Sequence, residues 1–352
     1  MGSTGTATTT GTAAARERRG ASDATGIALL GACAAWALIS AGVHGGQPEG
    51  VLLAVLAVTA GYAGGRICGA LLPVAAPCAG ALVGLALAVA APHVVRGPEA
   101  NAPLGPEGAT AALLILAAGG ACCAAWSARR PGARIALRLL TAATAVIAGV
   151  LGSVTALVAC AVILLCSLAV SLMRHRGLGL AGLAGATALV TGLVWAIAAG
   201  GVLPYGLNAS LEGQLTEHRL LLWRDAFDIA AREPALGAGP GRFGDVSPTA
   251  AGTLLSDGKP HSAPLQQAAE QGLIGVALFA AVFCWLLYAL WRSPRSTQVV
   301  LSAGAALTAL ALVAAVGNAL SVTAVTTGAG LLAGIATARP FHDEAVRAPD
   351  RP

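Results

Sequence analysis

The stretch LLTAATAVIAGVLGSVTALVACAVILLCSLAVSLM, residues 139–173, runs 35 residues without a charged side chain. At about 1.5 Å per residue one helix of that length would reach about 50 Å, whereas about 20 residues suffice to cross a hydrocarbon core of about 30 Å. It is one steeply tilted crossing or two short ones, and the flanking charges decide between them. Eight further apolar stretches, 24–43, 50–65, 67–91, 109–126, 177–202, 272–291, 298–316 and 320–338, are candidate spans. The cluster Arg16, Arg18 and Arg19 puts the N-terminus inside, so after three crossings the loop at 93–108, poor in basic residues, falls outside. The next loop carries Arg129, Arg130, Arg134 and Arg138 and falls inside. If residues 139–173 cross twice, turning near 149–155, then Arg174, Arg176, Arg292 and Arg295 are also inside, as the positive-inside rule wants.

The expected fold is therefore an all-α, polytopic membrane protein with about ten crossings and both termini cytoplasmic. The first member of the paired crossing, about 14 residues, is short for a span. It is expected to be broken or partly re-entrant, with its backbone shielded by protein or a water-filled cavity. The chain divides into a disordered cytoplasmic tail (1–23), an N-terminal transmembrane bundle (24–202), a long extracytoplasmic loop (203–271), C-terminal transmembrane helices (272–338) and a second cytoplasmic tail (339–352). The run at 24–43 is long enough to span and is expected to be retained rather than cleaved as a signal peptide.

Composition supports the bilayer reading: 56% of the 352 residues are hydrophobic and 11% charged, less than half the charged share of an ordinary soluble domain. The net charge of +5 is distributed as short arginine clusters between apolar runs, which is topology patterning and not a nucleic-acid footprint. All eight cysteines lie within apolar segments without metal-ligand spacing, so they read as packing residues, and no metal site is expected. Arg66, between two apolar runs, reads as a topology residue.

The polar chemistry gathers in residues 203–271. A connection of 69 residues is far longer than its neighbours and is functional or disordered by base rates. Its pattern favours order. Leu220, Trp223, Phe227 and Ala230 recur at helical spacing, with Arg224, Asp228 and Arg232 on another face. Thr216 can cap this helix and Pro234 stop it, which predicts an amphipathic helix lying on the membrane or against the bundle. Gly237-Ala-Gly-Pro-Gly-Arg-Phe-Gly244 requires unusual backbone angles or close approach to something. A second helix is expected after His261, with Ser262 as cap and Pro264 in its first turn, running into the span at Gly272. Amides at such a start favour an anion, which places His261 where a phosphate is welcome. The loop holds five basic residues, Arg219, Arg224, Arg232, Arg242 and Lys259, against eight acidic ones, so its cations act individually.

Other patterns carry less. Gly239, Gly241 and Gly244 fit GxGxxG without a preceding strand, and Ser256 to Lys259 fits SxxK with Pro260 directly after it; both read as chance. The sequon Asn208-Ala-Ser210 reads as incidental. His44, His93, His175 and His342 fall at span ends or in tails.

The ordered series Arg219-Leu-Leu-Leu-Trp223, then Glu233-Pro-Ala-Leu-Gly237-Ala-Gly-Pro-Gly-Arg-Phe243, then His261-Ser262 and, nine residues on, Gly272-Leu-Ile-Gly275, resembles the O-antigen ligase and polymerase family of bacterial membrane proteins. The resemblance covers about 60 residues plus a compatible span pattern. It implies a metal-independent, inverting glycosyltransferase without a cofactor. Its donor would be a glycan on a polyprenyl diphosphate carrier, its acceptor a glycan, lipid or protein hydroxyl, and its place the cytoplasmic membrane. By that resemblance Arg219 binds the diphosphate and His261 sits at the reaction centre. Arg224, Arg242 and Lys259 are further candidate diphosphate ligands. The chemistry fits the residue types: charge developing on a departing diphosphate is stabilised by guanidinium groups and amide dipoles. A near-neutral imidazole can accept the acceptor's proton or donate to the phosphate.

One departure stands out. Many family members carry Ser-Arg-Gly at the turn of the paired crossings, whereas here it is Gly152-Ser-Val154, consistent with an altered donor or a degenerate homologue. Two other readings compete with transfer: a transporter or flippase of lipid-linked envelope precursors, which calls for charges at mid-membrane that the spans almost lack, and a non-catalytic scaffold of an envelope polysaccharide complex. A topology reporter fused directly after Arg176 should behave as cytoplasmic; an extracytoplasmic signal there would reverse the side assigned to the long loop.

Overall fold

The computed structural model describes residues 6–94, 105–170, 175–200, 217–252 and 258–339. Within them all regular structure is helical: α1 (Thr6–His44), α2 (Glu49–Leu71), α3 (Ala75–Val94), α4 (Gly105–Ser127), α5 (Pro131–Val150), α6 (Val154–Ala169), α7 (Arg176–Ala198), α8 (Glu217–Arg232), α9 (Ala263–Trp291), α10 (Thr297–Ala315) and α11 (Thr323–Thr337), with two single-turn helices at Phe243–Val246 and Pro248–Ala251 and a 3-10 turn at Ala319–Ser321. Among the described residues seven helices are long and apolar enough to cross a membrane, and Ala75–Ala90, Val154–Ala169 and Thr323–Thr337 form shorter apolar ones. The chain is an all-α, multi-pass membrane protein. The sequon, Thr216, Ser256 and most of the loops at 93–108 and 203–216 lie outside the described residues.

The uncharged stretch 139–173 breaks at Leu151–Ser153, within the expected turn. Gly152 takes φ +77 there, a conformation that glycine adopts without a Cβ penalty. Ser153 then caps α6, its Oγ accepting from the Ala156 amide at 3.3 Å. So the position read as lacking a phosphate ligand holds a helix cap.

The expectation of a short first crossing is corrected. Pro131 occupies the first turn of α5, which spans 20 residues, and the shorter member is α6, with 16. Of the four arginines expected in the loop, Arg134 and Arg138 belong to α5, while Arg129 and Arg130 precede it. Arg134 Nε donates to the Ala128 carbonyl at 2.7 Å, and Arg138 lies 5.1 Å from the Trp126 ring centroid. Arg66 is likewise not between spans: α2 runs through it to Leu71, and the break falls where Pro73 denies an amide. Its Nη1 pairs with Asp23 at 3.0 Å and donates to the Tyr62 hydroxyl at 3.3 Å. From Thr6 the tail expected to be disordered is helical, continuing α1 outward, since extending an existing helix adds one hydrogen bond per residue fixed.

α4 and α10 form the centre, with Ala111, Leu114, Ile115, Ala118, Val300 and Ala306 all buried. Lipid tails are as apolar as leucine, so close packing and buried polar links hold such helices together. Ser167 on α6 accepts from Trp126 Nε1 on α4 at 2.8 Å and from Ser302 Oγ on α10 at 3.1 Å.

The tightest seam joins α2 to α11. A Cβ at Gly61 would lie 2.2 Å from the Thr327 carbonyl oxygen, and one at Gly65 2.3 Å from that of Leu331. Reciprocally, Gly330 would meet the Val58 carbonyl oxygen at 2.4 Å and Gly334 that of Tyr62 at 2.3 Å. Small residues spaced by four on both helices let the backbones touch. Arg295 closes one end, donating from Nη2 to the Gly69 carbonyl at 2.6 Å and from Nε to Ala338 at 3.0 Å. Gly65→Ala should lower the melting temperature in detergent, overpacking costing about 1–3 kcal/mol, while Gly64→Ala, with nothing within 4 Å, should not. Equal melting of the two variants would show that the close packing of α2 on α11 does not govern stability.

Candidate functional site

α9 is the helix expected after His261, and it is broken. Ser262 stands at its N-cap and Pro264 in its first turn, and Gly272 interrupts it with φ 68 and ψ −170. A break in a helix leaves carbonyls without their amides four residues on, and each must find another donor. The glycine-rich loop and the end of α1 supply them. The Ala238 amide donates to Ala269 at 2.8 Å, the Gly239 amide to Glu270 at 3.0 Å, and Trp36 Nε1 to Gln271 at 3.0 Å. On the far side of the break the Leu273 amide donates to Pro234 at 2.8 Å.

This approach explains the glycines. A Cβ on Gly237 (φ +65) would lie 2.5 Å from the Glu270 carbonyl carbon, and one on Gly272 2.3 Å from the Ala235 oxygen. The expected unusual angles and close approach are both present. Ser40 on α1 donates to the Leu236 carbonyl at 2.8 Å, and the Gln47 amide to Pro240 at 2.7 Å.

α8 forms as expected over Glu217–Arg232 and lies against the bundle. Leu222, Trp223, Ala226 and Ile229 share an apolar cluster with Val194 and Ala198 of α7, Leu265 and Ala269 of α9, and Phe243. Phe227 meets Trp195 edge-on, with centroids 6.2 Å apart. Asp225 turns to the loop instead, its Oδ2 accepting from Ser247 Oγ and from the Thr249 amide at 3.0 Å, which holds the turn at Pro248–Ala251.

The five candidate cations separate on this frame. Arg219 is on the buried face of α8 at 6% exposure, one turn before Leu222 and Trp223, so it is not the surface cation that an amphipathic helix would ordinarily carry. Arg224 is exposed on another face of the same helix. Arg242 donates from Nη1 to the His44 carbonyl, fastening the glycine-rich loop to the end of α1. Lys259 and His261 lie on the short segment leading into α9, whose Gly258 passes Gly244 backbone to backbone. His261 is half-buried, and with φ 51 it is the one non-glycine residue of positive φ among those described. Such strain persists only where the surroundings enforce it, and it clusters at functional sites. Next to it the Ser262 hydroxyl is buried at 1% exposure, caps no amide and has no hydrogen-bond partner.

Glu270 went unread in the sequence. It is 5% exposed, its Oε2 accepting from the Gly241 amide at 3.0 Å and its Oε1 from Gln266 Nε2 at 3.2 Å. Lys259 supplies the nearby positive charge. The carboxylate ties the glycine-rich loop to the first half of α9, with the charge of Lys259 nearby. A signal was available: Glu270 is the only charged residue in the 29 residues of α9.

The family model described as O-antigen ligase matches residues 107–280, from α4 through the break in α9. No curated protein and no solved structure matches the chain.

Glu270→Ala should destabilise the protein in detergent by about 1–3 kcal/mol, because the Gly241 amide and Gln266 lose a buried acceptor. Glu270→Gln should restore much of that loss, since one amide oxygen can still accept. Unchanged melting of Glu270→Ala would show that the carboxylate does not tie the loop down.

Proposed function

The chain is an O-antigen ligase family membrane protein over residues 107–280, and from that premise we propose that it transfers a glycan from a polyprenyl diphosphate to an acceptor hydroxyl outside the cytoplasmic membrane. Activity of the O-antigen ligase or polymerase type in glycan transfer follows from the family; donor, side and residue roles belong to the proposal. The observation that carries it is the start of α9, where a histidine of positive φ precedes a buried N-cap serine whose hydroxyl is unused.

In this reading the acceptor oxygen attacks the anomeric carbon on the face opposite the diphosphate, inverting the configuration. The bond from that carbon to the diphosphate oxygen breaks, and its electron pair leaves with the diphosphate. The acceptor's proton passes to the His261 imidazole. Arg219 and the first amides of α9, with the Ser262 hydroxyl, receive the growing negative charge. These donors are fixed before reaction by α8 and by the break at Gly272, so little reorganisation is needed as charge develops. The roles are metal-independent, because guanidinium and amide groups take the place a divalent cation would otherwise fill. Lys259 adds charge from the same segment, Arg242 positions the loop, and Arg224 is the weakest of the five candidates because it faces solvent.

His261→Ala should lower transfer by about 10²–10⁴-fold while the protein stays in the membrane. Mass spectrometry of lipid extracts from cells carrying that variant should show the diphosphate-linked donor accumulating, which would also identify it. Arg219→Lys should recover little of the activity lost in Arg219→Ala, since lysine offers no planar fork for a diphosphate. Wild-type transfer by the His261 variant would overturn the assignment.

A further inference from the structure

The residues matched to the family begin at 107, yet the break in α9 is held from α1, which lies outside them. α1 runs antiparallel to α9 and touches it on both sides of Gly272. Before the break, Trp36 Nε1 donates to the Gln271 carbonyl at 3.0 Å, and Ser40 Oγ comes within 3.4 Å of the Glu270 carbonyl. Beyond it, Trp285 Nε1 donates to the Ser22 carbonyl at 2.9 Å, and Gly26 lies against the same indole with no room for a Cβ. The two indole contacts match in length: residues 22 to 36 on α1 and 271 to 285 on α9 each span about 21 Å at about 1.5 Å per residue.

A helix interrupted by one glycine lacks the bonds that would fix its two halves at one angle. α1 is unbroken from Thr6 to His44, and it grips each half of α9 separately. The same edge of α1 also holds the glycine-rich loop. Ser40, at 0% exposure, donates to the Leu236 carbonyl at 2.8 Å, and one turn on the His44 carbonyl accepts from Arg242. Residues 36, 40 and 44 follow at helical steps, so one face of α1 reaches the break and the loop together.

We propose that α1 is a splint that sets the angle between the two halves of α9, making Trp36 and Ser40 positioning residues for the transfer reaction. The inference rests on reading the start of α9 as the reaction centre. From Gln271 back to Ser262 the first half of α9 is a lever of about 14 Å, so a rotation of about 5° at Gly272 moves the first amides by about 1 Å. A misplacement of about 1 Å can lower a rate about 10²-fold. Neither residue touches the reacting atoms; each acts by fixing where Ser262 and the neighbouring His261 stand.

The test adds the purified full-length chain to solubilised membranes from cells carrying His261→Ala, which supply donor and acceptor. Release of polyprenyl diphosphate is timed by mass spectrometry over a range of membrane amounts, with rates counted per folded chain. Trp36→Phe keeps a ring and loses the donor, and Ser40→Ala loses the hydroxyl. Each should melt lower, and each should lower kcat about 10- to 100-fold with KM unchanged. Trp285→Phe, which frees the far end of the splint, should lower kcat in the same direction. Ile39→Ala, on a face of α1 exposed at 52%, should match wild type. Lower melting with a wild-type kcat per folded chain would assign Trp36 and Ser40 to stability alone and overturn the inference. A wild-type kcat in Trp285→Phe, or an equal loss in Ile39→Ala, would overturn the splint. If the wild-type chain releases no more than His261→Ala, the transfer reading falls and this inference with it. An inactive His261→Ala beside fully active Trp36→Phe and Ser40→Ala would overturn the inference alone.

Discussion

The break in α9 at Gly272 is the constraint on which the site depends. A helix interrupted beside a membrane exposes carbonyls that lipid cannot satisfy, and here each is answered by a named donor: Ala238, Gly239 and Trp36. Those donors fix the glycine-rich loop and the C-terminal end of α1 against α9 at the same time. With the loop held there, Arg242 reaches the His44 carbonyl, Glu270 reaches the Gly241 amide, and Gly258 meets Gly244. The segment bearing Lys259 and His261 is thereby delivered to the first turn of α9. Local strain at His261 is supportable because the surrounding backbone is fastened on both sides.

Much of the fold could be read from periodicity and charge. The apolar stretches foresaw the helices, and the charge clusters around residues 139–173 foresaw the break at Leu151–Ser153. Two misjudged boundaries share one cause. Taking every charged residue as a boundary shortened α5, which carries Arg134 and Arg138 in its first turns, and divided α2 at Arg66. A guanidinium is tolerated inside such helices when an aromatic ring or a carboxylate lies within reach, as Trp126 does for Arg138 and Asp23 for Arg66. Those partners are distant in sequence, so no local window contains them.

The site was legible where its signals were local. The amphipathic pattern of α8, the glycines of the loop and the Ser262-Ala-Pro264 start of α9 each predicted the element that forms. What escaped was tertiary. The burial of Arg219 follows only from the packing of α8 against α7 and α9. Trp36 and Ser40 gave no sign of their part, since two polar atoms in an apolar span acquire meaning only beside the carbonyls of residues 270 and 271. The lone charge of Glu270 was visible, but its meaning lay in the Gly241 amide that it holds.

The glycine seam has a consequence for how the chain is made. α2 and α11 are separated by some 250 residues, yet their backbones meet more closely than any other pair described by their glycines. During synthesis the grooved face of α2 enters the bilayer long before its partner leaves the ribosome. Until α11 arrives, lipid must fill the groove formed by Gly61, Gly65 and Gly69, with contacts looser than those of the finished bundle. Assembly is therefore a late, non-local event in the life of the polypeptide, and a chain stalled before α11 would be inserted in the membrane but not yet folded.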